Sequence, residues 1–139
     1  MKKLLTAVCA AALLSSPVLA DAHKDDHIVF LGEVAWQDVI PGVQLALGWG
    51  GPAAGDDIWL LRMAPGVGIP SHAHTNDYWG LTIQGTWVHV HEDGSETATT
   101  AGDYAFVEGG VFHADRCDGE VVCIGLLDFD GERDAIFPE

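Results

Sequence analysis

At 139 residues the chain can enclose one hydrophobic core and is too short for two. Its 6 Lys and Arg stand against 21 Asp and Glu, for a formal net charge of −15. No basic patch for phosphate contacts can form, so nucleic acid and anionic membrane surfaces are excluded as partners, while the acidity favours solubility and attracts cations, metal ions included.

In chain order, Lys2 and Lys3 precede an apolar run from Leu4 to Leu14, and Val18-Leu19-Ala20 ends on a small residue. This pattern predicts a secretory signal peptide over residues 1–20, cleaved after Ala20, and hence a periplasmic or secreted protein. A membrane anchor would need roughly twenty consecutive apolar residues, whereas Ser15, Ser16 and Pro17 break the run early. Residues 21–27, DAHKDDH, carry charge without apolar periodicity and are expected to be a flexible acidic leader. Cleavage after Ala20 would expose Asp21-Ala22-His23, which resembles the amino-terminal Cu(II)/Ni(II) motif of serum albumins. Histidine at the third position also arises by chance, so this remains a secondary expectation.

From residue 28 to the end the sequence reads as one all-β domain. Ile28–Leu31, Val43–Leu47, Ile58–Met63, Trp79–Ile83, Trp87–His91, Tyr104–Val107 and Val121–Leu127 are short β-branched and aromatic runs separated by Gly, Pro and Asp. That is the pattern of a sandwich or barrel. The 17 glycines support many tight turns, and no stretch after residue 20 offers a long apolar stripe at helical spacing. The tail from Asp128, DFDGERDAIFPE, mixes acids with Ile136 and Phe137, which are expected to pack as a terminal edge or cover. Cys117 and Cys123 flank Asp118-Gly119, a turn signal, and could face each other across a hairpin. An oxidising compartment favours a disulfide there over a Cys117 thiolate beside a metal.

The sharpest chemical feature is Ser71-His72-Ala73-His74. Histidines at i and i+2 of an extended segment point to one face, so their imidazoles can converge on one ion. His113 follows Gly109-Gly110-Val111-Phe112 at the entrance to another β-run. Alone it would read as a surface or satisfied core histidine.

These residues stand in a register that resembles the cupin superfamily. The first cupin motif, G-x5-H-x-H-x3-E-x6-G, is matched by Gly66, His72, His74 and Gly85, and the second, G-x5-P-x-G-x2-H-x3-N, by Gly102, Gly110 and His113. The resemblance spans about residues 60–115. It implies a cupin-type double-stranded β-helix, a jelly-roll barrel, with His72, His74 and His113 holding one divalent transition metal. Three positions depart from the motifs: Tyr78 stands for the glutamate, Glu108 for the proline and Cys117 for the asparagine. Loss of the glutamate removes the usual fourth, anionic ligand, and what remains resembles the three-histidine cupins. Those include dioxygenases that use Fe(II), so iron is favoured, with Zn, Cu, Mn or Ni allowed by the ligand chemistry.

Around that centre, Tyr78 can be a phenolate ligand, an aromatic filler or, the reading favoured here, a hydrogen-bond donor to bound substrate or oxygen. A phenol with its ordinary pKa near 10 is a poor ligand unless a metal deprotonates it. Alternation puts Gly80, Thr82 and Gln84 on the Tyr78 face. His89 shares a face with Trp87 and His91: inward, it is a pocket acid/base or an extra metal ligand; outward, it is ordinary surface, and Val88 with Val90 tips the balance outward. Asp115 and Cys117 share alternation with His113, whereas Asp103 and Glu108 read as turn or surface acids. The functions expected are therefore a small-molecule Fe(II) dioxygenase, with a metal-assisted lyase or isomerase as a variant, or a non-catalytic module that binds or senses a metal or small ligand. Pairing of edge strands would allow a homodimer.

Overall fold

The computed structural model describes residues 28–50 and 57–139; the expected signal peptide, the leader and its His23 motif lie outside the described residues. The described chain is built from ten strands: β1 Gln37–Ile40, β2 Val43–Trp49, β3 Ile58–Met63, β4 Gly68–His72, β5 Tyr78–Gln84, β6 Thr86–Val90, β7 Glu96–Thr99, β8 Tyr104–Val107, β9 His113–Asp118 and β10 Cys123–Phe129. No helix occurs among the described residues, as the lack of 3.6-residue periodicity led us to expect.

All pairings are antiparallel. They make a six-stranded sheet in the order β1-β2-β3-β10-β5-β8 and a four-stranded sheet in the order β4-β9-β6-β7. Two such sheets enclosing one core form the jelly roll. The core takes Val43 and Leu45 from β2, Leu61 and Met63 from β3, Tyr78 from β5 and Leu127 and Phe129 from β10, with Cys117 entering from the opposite sheet. Leu60 and Leu61 are both buried, as are Cys123 and Ile124, so β3 and β10 read as continuous apolar runs rather than alternating ones. These two strands occupy the middle of the larger sheet.

Two local expectations are corrected. Ile28–Leu31 is no strand; Glu33 N–H closes a turn onto the Phe30 carbonyl, and Ile28 and Phe30 are 72% and 60% exposed. Four apolar residues without a partner ladder cannot hold an extended conformation by themselves. Cys117 and Cys123 do form a disulfide, with Cα atoms 5.6 Å apart, but not across a hairpin. Strands β9 and β10 belong to different sheets, so the bond staples one sheet to the other. Asp118-Gly119 turns the chain between layers.

Candidate metal centre

His72 closes β4 and His113 opens β9, and the two are directly opposite in the antiparallel register. His74 lies two residues beyond His72, in the segment before β5. All three are buried, and one ring nitrogen from each falls within 4.8 Å of the others. The two motif loops are tied together around them. Gly110 N–H donates to the His74 carbonyl at 2.7 Å, and Gly109 N–H donates to Asp77 Oδ1 at 2.7 Å. Gly109 is required here, because a Cβ at that position would stand 2.7 Å from the Thr75 carbonyl oxygen.

The outer ring nitrogens are held by the backbone. His72 Nδ1 meets the Pro70 carbonyl at 2.9 Å, His113 Nδ1 meets the Val111 carbonyl at 3.1 Å, and His74 Nδ1 meets the Asp134 carbonyl. A carbonyl only accepts, so each Nδ1 carries the proton and each Nε2 keeps a lone pair facing the centre. This is the support that metal-ligating imidazoles characteristically have. Burial lowers the pKa of His74 and takes that of His113 down to about 4, with His72 adding repulsion, so these rings are neutral. His113 Nε2 is buried without any hydrogen-bond partner. An orphaned lone pair among two others is the feature a cation would satisfy, and the residues fit a bound metal.

Asp134 was not singled out by sequence reasoning. Besides its carbonyl on His74, its carboxylate accepts from Thr75 N–H and Oγ1–H, and Ile136 forms a two-way backbone bridge with Ala73. The tail thus clamps the His72-Ala73-His74 segment, with the Phe137 ring 6.0 Å from that of His72. Such a contact spans some sixty residues of sequence, and no local pattern signals it.

Tyr78 is buried with its ring 5.1 Å from His74 and 4.8 Å from Phe129. Burial, reinforced by the nearby Asp115 charge, raises its pKa well above the ordinary value, so it is a neutral phenol able to donate. His89 faces inward, against the outward preference read from the valines. Its Nδ1 lies 3.2 Å from Asp115 Oδ1, and its ring stacks on His113 at 4.7 Å. Val88 is buried on the opposite face of β6, in register with Arg116, whose guanidinium spans Glu96 and Asp118. The arginine stem and its ion pairs give that valine face cover without the core.

Asp115 is 4% exposed and receives Trp87 Nε1–H at 2.8 Å as well as His89 Nδ1–H. Burial alone would raise its pKa; the hydrogen bonds from His89 and Trp87 outweigh this and hold it below the ordinary carboxylate value. Asp115, Tyr78 and His89 open onto a cavity of about 130 Å³ between the sheets. Its remaining wall is largely apolar, including Trp87, Val107 and Leu127, and no Lys or Arg lines it. Gly125 makes room for the Trp87 ring, which a Cβ there would approach to 2.9 Å.

A family model described as Cupin domain matches residues 59–127, across both histidine motifs. The chain belongs to the cupin superfamily. No curated protein matches this cupin in sequence. Among solved structures it is similar to an RmlC-like cupin from Shewanella frigidimarina, at 21% identity and TM-score 0.61 over 76% of this chain and 90% of that one. It is also similar to the polyketide cyclase RemF from Streptomyces resistomycificus, at 15% identity and TM-score 0.69 over 83% and 88%. A third similarity is to the Rhodobacter sphaeroides complex of SigE with the anti-sigma ChrR, at 25% identity and TM-score 0.61 over 73% of this cupin and 52% of that chain.

Proposed function

We propose that this cupin is an exported metalloenzyme in which His72, His74 and His113 hold one divalent transition metal, Fe(II) by preference, for dioxygenation of a small, largely apolar compound. The observation that carries the reading is the convergence of three buried imidazoles, each fixed by a carbonyl on Nδ1, beside a cavity. Bound iron would supply the redox chemistry for O2 and an anchoring point for substrate oxygens.

The protein's own groups define the rest. The cavity is comparable in size with ones that accept a single benzene-sized ring. Its apolar wall and its lack of Lys or Arg disfavour a substrate with a free carboxylate, including amino-acid thiols, and favour an enolic or phenolic compound. His89 donates its Nδ1 proton to Asp115, which leaves its Nε2 lone pair to take the proton from an enol or phenol hydroxyl. Tyr78 donates a hydrogen bond to substrate or oxygen while its ring packs on His74.

Mature protein, exported naturally and purified without oxygen, should contain near-stoichiometric iron and consume O2 with a diketone or catechol from a small panel. His72→Ala should abolish both. Iron binding with no O2 uptake across the panel would move the assignment to a non-catalytic ligand-binding or sensing cupin, for which the resemblance to the ChrR complex is the supporting observation.

A further inference from the structure

The first cupin motif has Tyr78 where a glutamate ligand is expected, and the structure brings a carboxylate to the same centre from another strand. We propose that Asp115 is a fourth protein ligand of the metal held by His72, His74 and His113. This rests on the three-histidine reading above and adds to it an anionic oxygen.

Asp115 stands two residues beyond His113 on β9, so both side chains point into the barrel, just as His72 and His74 are spaced two apart. Its two oxygens are differently placed. Oδ1 takes the hydrogen bonds from Trp87 and His89. Oδ2 lies 3.9 Å from His72 Nε2 and 3.8 Å from His113 Nε2. Those distances are too long for hydrogen bonds. In a neutral ring that spends its Nδ1–H on a backbone carbonyl, Nε2 carries a lone pair. The two imidazole nitrogens and the carboxylate oxygen therefore face one another among buried side chains, and His113 Nε2 is without a hydrogen-bond partner.

Such a cluster is repulsive when empty and becomes favourable with a cation at its middle. Ligand atoms about 2.0–2.2 Å from one ion are themselves about 3.0–3.5 Å apart. The Oδ2 separations from His72 Nε2 and His113 Nε2, 3.9 and 3.8 Å, exceed this by less than 1 Å. The hydrogen bonds on Oδ1 fix the carboxylate plane and hold Oδ2 toward the histidines, as supporting partners do for ligating carboxylates. Placing the carboxylate at Asp115 also leaves the β5 position free for the Tyr78 phenol, which a neutral ring fills against His74 and Phe129. His89 becomes linked to the metal through one carboxylate: a proton taken at its Nε2 would be felt at the centre.

The test uses Co(II), whose visible spectrum reports coordination, with the full mature protein, Asp115→Asn and His72→Ala. Asparagine keeps the shape and an acceptor for Trp87 and His89 but removes the anionic oxygen. The proposal expects Asp115→Asn to bind Co(II) with altered visible bands and an affinity reduced by about 100-fold, the upper end of the cost of losing a supporting partner. Unchanged bands and affinity in Asp115→Asn, with binding lost in His72→Ala, would overturn the Asp115 assignment and leave the histidine site standing. Undiminished binding in His72→Ala would overturn both. Should the asparagine variant fail to fold, a crystal structure of the Zn-loaded wild type decides. An Oδ atom within about 2.2 Å of the ion is expected, and no Asp115 oxygen in the coordination sphere overturns the proposal.

Discussion

His113 shows how one buried residue couples the centre to solution conditions. In the metal-free protein its pKa is held down to about 4 from an ordinary 6.5, first by burial. The folded state therefore refuses a proton that the unfolded chain accepts. The stability attributable to this residue is intact above the unfolded value and is lost as pH falls through the interval down to the folded one. His74, lowered in the same direction by burial, acts with the same sign. Thermal melting of the chelator-treated protein from about pH 7 to about pH 4 should show a falling Tm, and His113→Asn should flatten the slope. A wild-type Tm that held constant across the interval would contradict a neutral, buried His113. Asp115 works in the adjoining range, since its lowered carboxyl loses its contribution only on further acidification.

At the scale of elements, the centre depends on how strands from two sheets are joined. β4, β9 and β6 lie side by side in the smaller sheet and carry His72, His113, Asp115 and His89, while Tyr78 comes from β5 across the barrel. The Cys117–Cys123 disulfide links the end of β9 to the start of β10 and so fixes the layer that bears His113 and Asp115 against the layer that bears Phe129. Closing this short loop should stabilise the fold by about 2 kcal/mol through the unfolded state. Urea unfolding of a Cys117→Ser/Cys123→Ser variant should show a loss of that order, and an unchanged midpoint would mean that core packing alone holds the sheets.

At the scale of the molecule, the outer face of the larger sheet ends at β8, an edge strand. Trp79, Tyr104 and Phe106 lie there, 52%, 73% and 50% exposed, with the Trp79 and Phe106 rings 5.2 Å apart. An apolar edge of this kind invites pairing with another chain, and we propose that a second copy covers it in a homodimer. Sedimentation equilibrium should give a dimer, and Phe106→Lys with Tyr104→Lys should give a monomer that still binds metal. A monomeric wild type would sink this proposal. Among the described residues no helix is long and apolar enough to cross a membrane.

The all-β class and the cupin register were legible in sequence, because two-residue alternation and fixed motif spacing are local properties of the chain. Ile58–Met63 and Tyr104–Val107 appear as strands with the bounds expected of them. Strands such as Gln37–Ile40 and Glu96–Thr99 were not visible, since they are four residues long and mostly exposed, and their conformation comes from the ladder they join. The direction of the His89 face was decided only in three dimensions, where Arg116 and its partners cover the valine side and Asp115 meets the histidine side. The same holds for Asp134 on His74 and for Asp115 Oδ2 beside two Nε2 atoms. Sequence determines which groups alternate onto one face; which faces meet, and whether lone pairs or protons point at each other there, follows from how the sheets close.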